Sequence, residues 1–204
     1  MKERPIIFSG EMVRAILDGW KTQTRRVVKP QPPAKVIEFR PYHCAHPFVL
    51  SGYWRDERGV WNSTPPIRCP HGIVGDRLWV RETWMPETEQ GIPTGGTIYR
   101  ASPNSPEPDG DVPLRWRPSI FMPRWASRIT LEITGIRVER LQEITGRDVL
   151  AEGVDNGKSN PTMGVRWENM QRMAFEQVWN AINAKRGYGW AVNPWVWVIA
   201  FRRV

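Results

Sequence analysis

Hydrophobic positions change period several times along this chain, and each change marks an element. Pro5-Ile6-Ile7-Phe8 is a short apolar run that predicts a buried strand. Ser9 then offers an N-cap, and Met12, Val13, Ile16 and Leu17 form a stripe at helical spacing that stops at Gly19. A polar, basic turn from Lys21 to Lys29 follows, closed by Pro30-Gln31-Pro32-Pro33, and residues 34–40 predict another strand. Leu78 to Thr83 alternates as a strand after the Gly75-Asp76 turn. Ile129 to Ile133 alternates as well, and Ile136–Leu141 continues that sheet. Thr145-Gly146-Arg147-Asp148 has the form of a capping box with Asp in place of Glu, opening a short helix that ends at Gly153. From about Arg166 to Ala184 the period is helical. Met170, Ala174, Val178 and Ala181 fall on one line, with Phe175, Trp179 and Ile182 beside it. Trp195 to Phe201 is apolar throughout, which predicts a strand buried on both faces.

Two stretches carry no such period. Residues 41–75 are rich in turn residues, and residues 85–118 hold seven prolines; both read as long loops, the second interrupted by a strand near Thr97–Arg100. Strands scattered from first residues to last, with few short helices and no internal repeat, predict an α+β fold. A small mixed β-barrel, one domain over residues 1–204 with loop insertions at about 41–75 and 85–118, fits best.

Composition narrows the class. Of 204 residues 40% are hydrophobic and 12 are tryptophan, which excludes a disordered chain. No apolar run reaches the roughly 18 residues of a membrane span. Met1-Lys2-Glu3-Arg4 leads into only a short apolar stretch, so no secretory signal is expected. With two cysteines, the expectation is reduced thiols and a cytoplasmic protein. Lys and Arg outnumber Asp and Glu by 29 to 21, for a net charge of +8. Residues 1–42 hold nine cations against four anions, whereas residues 76–112 hold three against seven. Basic ends around an acidic middle favour a surface that faces a polyanion, with a solvated basic coat as the alternative.

Four constellations carry candidate chemistry. In the turn from Gly19 to Arg26, Lys21 and Thr24 are three apart and can share a side. A threonine hydroxyl becomes a nucleophile once a base takes its proton, and Arg25 and Arg26 push the Lys21 pKa down toward that role; a solvated basic loop is the plain alternative. Glu152 sits in the last turn of a short helix, against the macrodipole, and calls for a compensating cation such as Lys21, or is a surface glutamate. Cys44, His46, Cys69 and His71 fall in one loop with His43, and the four together have the chemistry of a tetrahedral structural zinc site, although their one-residue spacing is tighter than the usual two to four. No cofactor is otherwise expected. Finally Trp79 and Arg81 on one strand face, Glu82 on the other, and Arg124-Trp125 interleave aromatics with charge, as surfaces that stack bases and contact phosphates do.

Ile16-Leu17-Asp18-Gly19-Trp20-Lys21-Thr22-Gln23-Thr24-Arg25-Arg26 resembles the signature of ASCH domains, whose fold is a PUA-like β-barrel. It is particularly similar to the small bacterial N4-acetylcytidine amidohydrolases, whose motif reads Leu-x-Gly-x-Lys-Thr-x-Thr-x-Arg. Leu141-Gln142-Glu143-Ile144-Thr145 precedes Glu152 at the offset of that family's glutamate. The resemblance covers roughly residues 4–26, 76–82, 128–154 and 194–203. It implies Thr24 as nucleophile, Lys21 as its base and Glu152 as supporting acid or orienting group; the basic turn and the aromatic-cationic pattern themselves make Arg25, Arg26, Trp79, Arg81, Glu82, Arg124 and Trp125 the residues expected to face substrate or nucleic acid. The implied partners are a modified nucleoside or nucleotide, RNA or single-stranded DNA. Residues 75–84 and 122–129 further resemble phage and prophage proteins of the ASCH type. The chain departs from the minimal enzymes in being about twice as long and in placing Arg25 where they have an apolar residue. A non-catalytic module that binds RNA or modified DNA is the alternative reading.

Overall fold

The structure, a computed structural model, describes residues 1–41, 49–89, 92–106, 115–154 and 165–204. Its strands and helices follow in the order β1 (Glu3–Ile7), α1 (Gly10–Leu17), β2 (Gln23–Val27), β3 (Glu38–Pro41), β4 (Val49–Arg55), β5 (Trp61–Ser63), β6 (Ile67–Arg68), β7 (Arg77–Arg81), β8 (Trp84–Glu89), β9 (Ile92–Tyr99), β10 (Thr130–Arg140), α2 (Gly146–Ala151), α3 (Val165–Asn183) and β11 (Trp195–Arg203). The class is α+β.

The central sheet has five strands in the order β1-β7-β10-β11-β2. β1 pairs with β7 in parallel, and the other pairs are antiparallel. β1 and β2 are close in sequence yet occupy opposite edges. They are joined by α1, whose eight residues span about 12 Å. The sheet must therefore coil until its edges approach, and the Arg26 side chain of β2 reaches the Ile7 carbonyl of β1 at 2.8 Å. The expected barrel is thus nearly drawn, but no pairing of β1 with β2 completes the ring among the described residues. Helix α1 spans the gap instead.

β11 divides the core as its apolar run predicts. Trp195, Trp197, Ile199 and Phe201 join Ile6, Val13, Ile16, Leu78, Leu131 and Ile133 in one cluster. Val196 and Val198, pointing the other way, pack with Leu141, Ile144, Val149, Phe175 and Trp179 beneath α2 and α3. Each such side chain taken fully out of water is worth about 1.5–3 kcal/mol before ordering costs, so β11 anchors both layers. Trp167, Trp179, Trp195 and Trp197 are all buried.

Three expectations change. Residues 41–75 are not irregular where described, because β4, β5 and β6 form an antiparallel sheet with β3. In the proline-rich stretch, β8 and β9 form a two-stranded ribbon. Pro86 is tolerated there because the second neighbour of β8, Arg117, bonds it only at Trp84 and leaves the rest of that edge free among the described residues. On α3 the buried line is Trp167, Gln171, Phe175 and Trp179. The line of Met170, Ala174 and Val178 is only half-buried and Ala181 is exposed, because the aromatic line carries more apolar area and takes the sheet-facing position. Among the described residues no helix is long and apolar enough to cross a membrane.

Candidate functional site

Two helix ends meet to build the site. At the end of α1, Gly19 takes the left-handed conformation (φ 81°) and the Trp20 and Lys21 N–H groups both donate to the Ala15 carbonyl. The chain then runs straight onto the end of α2, where Thr22 N–H donates to the Ala151 carbonyl at 2.8 Å. Helix α2 starts from the expected capping box. Asp148 N–H donates to Thr145 Oγ1 at 3.1 Å, and Asp148 Oδ2 accepts from Thr145 N–H at 3.1 Å. It ends at Glu152, followed by Gly153 at φ 74°. A Cβ on Gly153 would lie 2.8 Å from Ala15 Cβ and 2.9 Å from Lys21 Cβ. Only glycine lets the two helix ends approach this closely.

Lys21 is buried and its Nζ spends all three hydrogens at this junction. It donates to the Gln23 carbonyl at 2.9 Å, the Glu152 carbonyl at 2.7 Å and Glu152 Oε2 at 3.1 Å. A cation thereby caps both the carbonyl and the carboxylate at the negative end of α2, which answers the misplaced charge of Glu152. Burial pushes the Lys21 ammonium below its ordinary range, while the Glu152 carboxylate works against that shift.

Arg25 is the hub of a wider network. Its fully buried guanidinium donates to Glu152 Oε1 at 3.1 Å, bonds Glu139 and lies 3.5 Å from Asp148. Arg137 closes the ring, donating to Glu139 at 2.8 Å, to Asp148 at 3.1 Å and to the Gln23 amide oxygen. Burial raises the Asp148 carboxyl, but hydrogen bonds from Thr145 and Gln23 and the charge of Arg25 outweigh it and bring it down to about 2.

Beside this network lies a cleft of about 320 Å³, at the lower end of the size range for small-molecule sites. The free side of edge strand β2 forms one wall with Thr24, Arg25, Arg26 and Val27; Glu152 and His71 adjoin it, and Phe175, Trp179 and Tyr188 face it. Thr24 is buried beneath the surface but lines the cleft, and its hydroxyl has no hydrogen-bond partner among the described residues. Thr24 and Glu152 therefore share the cleft, while Lys21 stands behind Glu152. Burial lowers the Arg26 pKa, Glu152 working against it. The His71 imidazole is brought down to about 4, by burial first and then by Arg26 and Arg4, so it is neutral at neutral pH.

The zinc expectation divides. Cys44 and His46 lie outside the described residues. Cys69 is buried and its thiol is pushed up to about 11 by burial, against hydrogen bonds from the His71 and Gly72 backbone. His71 lines the cleft. Among the described residues no group of three or more His, Cys, Asp or Glu side chains is placed to hold a metal.

The remaining sequence candidates gather away from the cleft. Trp79 is buried with Arg81 stacked over it at 4.6 Å. Glu82 is buried and held by Arg128 through two bonds of 2.9 and 3.0 Å. Both are occupied within the fold rather than presented to a ligand. Arg81 donates to the Ile120 carbonyl, and Arg124 pairs with Glu3 at 2.9 Å. Arg124 and Trp125 are both exposed, the Trp125 ring standing edge-on to Trp84.

No protein-family model and no curated protein sequence matches the chain. Among solved structures, an ASCH domain from Lactobacillus crispatus JV V101 superposes with a TM-score of 0.39 at 12% identity, covering 99% of this chain and 79% of that chain. At that score and identity, family and function rest on this chain's own residues.

Proposed function

We propose that this chain is an ASCH-type domain whose cleft hydrolyses the exocyclic amide of an N4-acylated or otherwise modified cytosine nucleoside or nucleotide. The supporting observation is the pairing of Lys21 with Glu152 directly behind a cleft into which Thr24 presents an unpartnered hydroxyl. Nucleophile, base and orienting carboxylate in that order are the parts an acyl transfer needs.

The chemistry runs through an acyl-threonine. Burial pushes the Lys21 ammonium below its ordinary range, which favours the neutral amine. The amine takes the Thr24 hydroxyl proton as Oγ1 attacks the acyl carbon. Nearby backbone N–H groups stabilise the oxyanion. The bond to N4 breaks as N4 receives the proton, releasing cytidine, and water then hydrolyses the ester to free the carboxylic acid and restore Thr24. Arg25, on Oε1, fixes the orientation of Glu152.

One observation favours a second reading. All three Lys21 hydrogens and both Glu152 oxygens are already committed, the saturation expected of a purely structural joint in a nucleic-acid-binding module. Incubation with N4-acetylcytidine separates the two. The enzymatic reading expects cytidine release, reduced at least about 100-fold in Thr24→Ala and Lys21→Ala. Unaltered substrate, or full activity in either variant, rejects it. Salt-dependent oligonucleotide binding that Thr24→Ala leaves unchanged would then establish the binding module.

A further inference from the structure

We infer that the cleft contains a phosphate subsite formed by Arg26, Lys29 and Arg186, so that its ligand is a nucleoside phosphate rather than an uncharged nucleoside. The inference deepens the cytosine reading and rests on its placing the ligand in this cleft; it does not depend on hydrolysis.

Charge balance around the cleft carries the argument. Four cationic side chains line it, Arg25, Arg26, Lys29 and Arg186, against the single carboxylate of Glu152. Glu152 is already satisfied by Lys21 and Arg25, and Arg25 is itself consumed by Glu139, Asp148 and Glu152. Arg26, Lys29 and Arg186 make no ion pair among the described residues. Three uncompensated cations thus converge on about 320 Å³, where their mutual repulsion disfavours the empty site.

Arg26 separates this arrangement from an ordinary solvated basic surface. It donates one Nη2 bond to the Ile7 carbonyl and lies 5.2 Å from the Phe8 ring centroid. Its Nε is shut from solvent with no partner. Arg26 also lines the cleft, and an anion bound there offers its remaining N–H groups acceptors in the planar, forked geometry that suits phosphate.

Position agrees with charge. Lys29 follows β2 and Arg186 follows α3, so both stand at the mouth of the cleft, with Lys29 Nζ 5.2 Å from the Tyr188 ring centroid. The aromatic wall of Phe175 and Trp179 lies deeper. A nucleotide fits with its base against that wall and its phosphate between the ends of β2 and α3.

The test is calorimetric titration of the whole chain with cytidine, cytidine 5′-monophosphate and a short oligocytidine, in wild type and in the Lys29→Ala/Arg186→Ala double variant. Both substitutions are at exposed positions and leave the core untouched. In wild type the monophosphate should bind about tenfold or more tighter than cytidine, with an advantage that shrinks as salt rises. The double variant should lose that advantage while keeping its affinity for cytidine. An oligocytidine weaker than the monophosphate assigns the subsite to free nucleotides; one as tight or tighter assigns it to the phosphodiester of a strand. Equal affinity for cytidine and its monophosphate, a phosphate preference that survives in the double variant, or no binding of either ligand overturns the inference. Phosphate-dependent binding without hydrolysis of N4-acetylcytidine would sink the catalytic reading alone.

Discussion

Arg25 shows how one residue can turn a motif into a joint. Its neighbours Thr24 and Arg26 line the cleft wall as well, but Arg25 is fully buried and ties together carboxylates from β10, from α2 and from the end of α2. A lysine offers its donors from a single nitrogen and lacks the wide planar fork that reaches three separate carboxylates. Arg25→Ala should destabilise the chain by about 3–5 kcal/mol, because Glu152 remains buried, and Glu139 half-buried, with too little compensating charge. Arg25→Lys should fall between the two. Urea unfolding of the three proteins measures the order, and a wild-type midpoint in Arg25→Ala would show that the carboxylates relax to water at no cost. The position was legible as unusual, since the resembling family has an apolar residue there. That its partners are Glu139, Asp148 and Glu152 was not, because a salt-bridge partner more than a hundred residues away leaves no local trace. His71 makes the same point: its sequence neighbours tie it to Cys69, and only the fold shows that it lines the same cleft as Thr24.

At the scale of elements, the site is where two helix C-termini abut. Their carbonyls are answered by the same short turn, with Lys21 Nζ on the Glu152 carbonyl and Thr22 N–H on Ala151. The capping box and the ends at Gly19 and Gly153 were readable from local spacing, since caps and turns depend on near neighbours, whereas β2, which reads as a polar, basic turn, becomes a strand only by pairing with β11. The contact between the helix ends depends on Gly153 having no Cβ. Gly153→Ala would combine a strained left-handed backbone with two contacts under 3.0 Å. It should cost more than the roughly 1 kcal/mol of a left-handed alanine alone and displace Glu152 from Lys21. Reduced thermal stability and loss of cleft activity together are the expected result; an active variant of unchanged stability would mean the α1–α2 contact is slack. On α3, period alone placed the helix correctly but rotated its buried face, because the choice between two adjacent apolar lines is made by what the sheet offers.

For the whole molecule, charge links the site to stability. Asp148 is shared by the α2 cap, Gln23, Arg25 and Arg137. Its carboxyl is held at about 2 in the fold against an ordinary 3.8. Within that window the unfolded chain takes up a proton that the folded one does not. Its stabilising contribution is therefore complete above the ordinary value and is lost as pH falls through about 2. Solvent screens part of it, since the side chain is one-fifth exposed. Acid titration of the unfolding free energy should show this limb in wild type, and Asp148→Asn should flatten it; an unchanged limb would assign acid sensitivity elsewhere. By itself the sequence determined the class, the helices and the doubly buried β11, because hydrophobic period and caps are short-range and survive without knowledge of partners. Only the tertiary structure decided that the sheet coils until α1 bridges its edges, that Lys21 and Arg25 spend themselves on Glu152, and that Arg26, Lys29 and Arg186 face one cleft with no ion pair among the described residues. Those are contacts between elements far apart along the chain, set by packing and charge that no local pattern encodes.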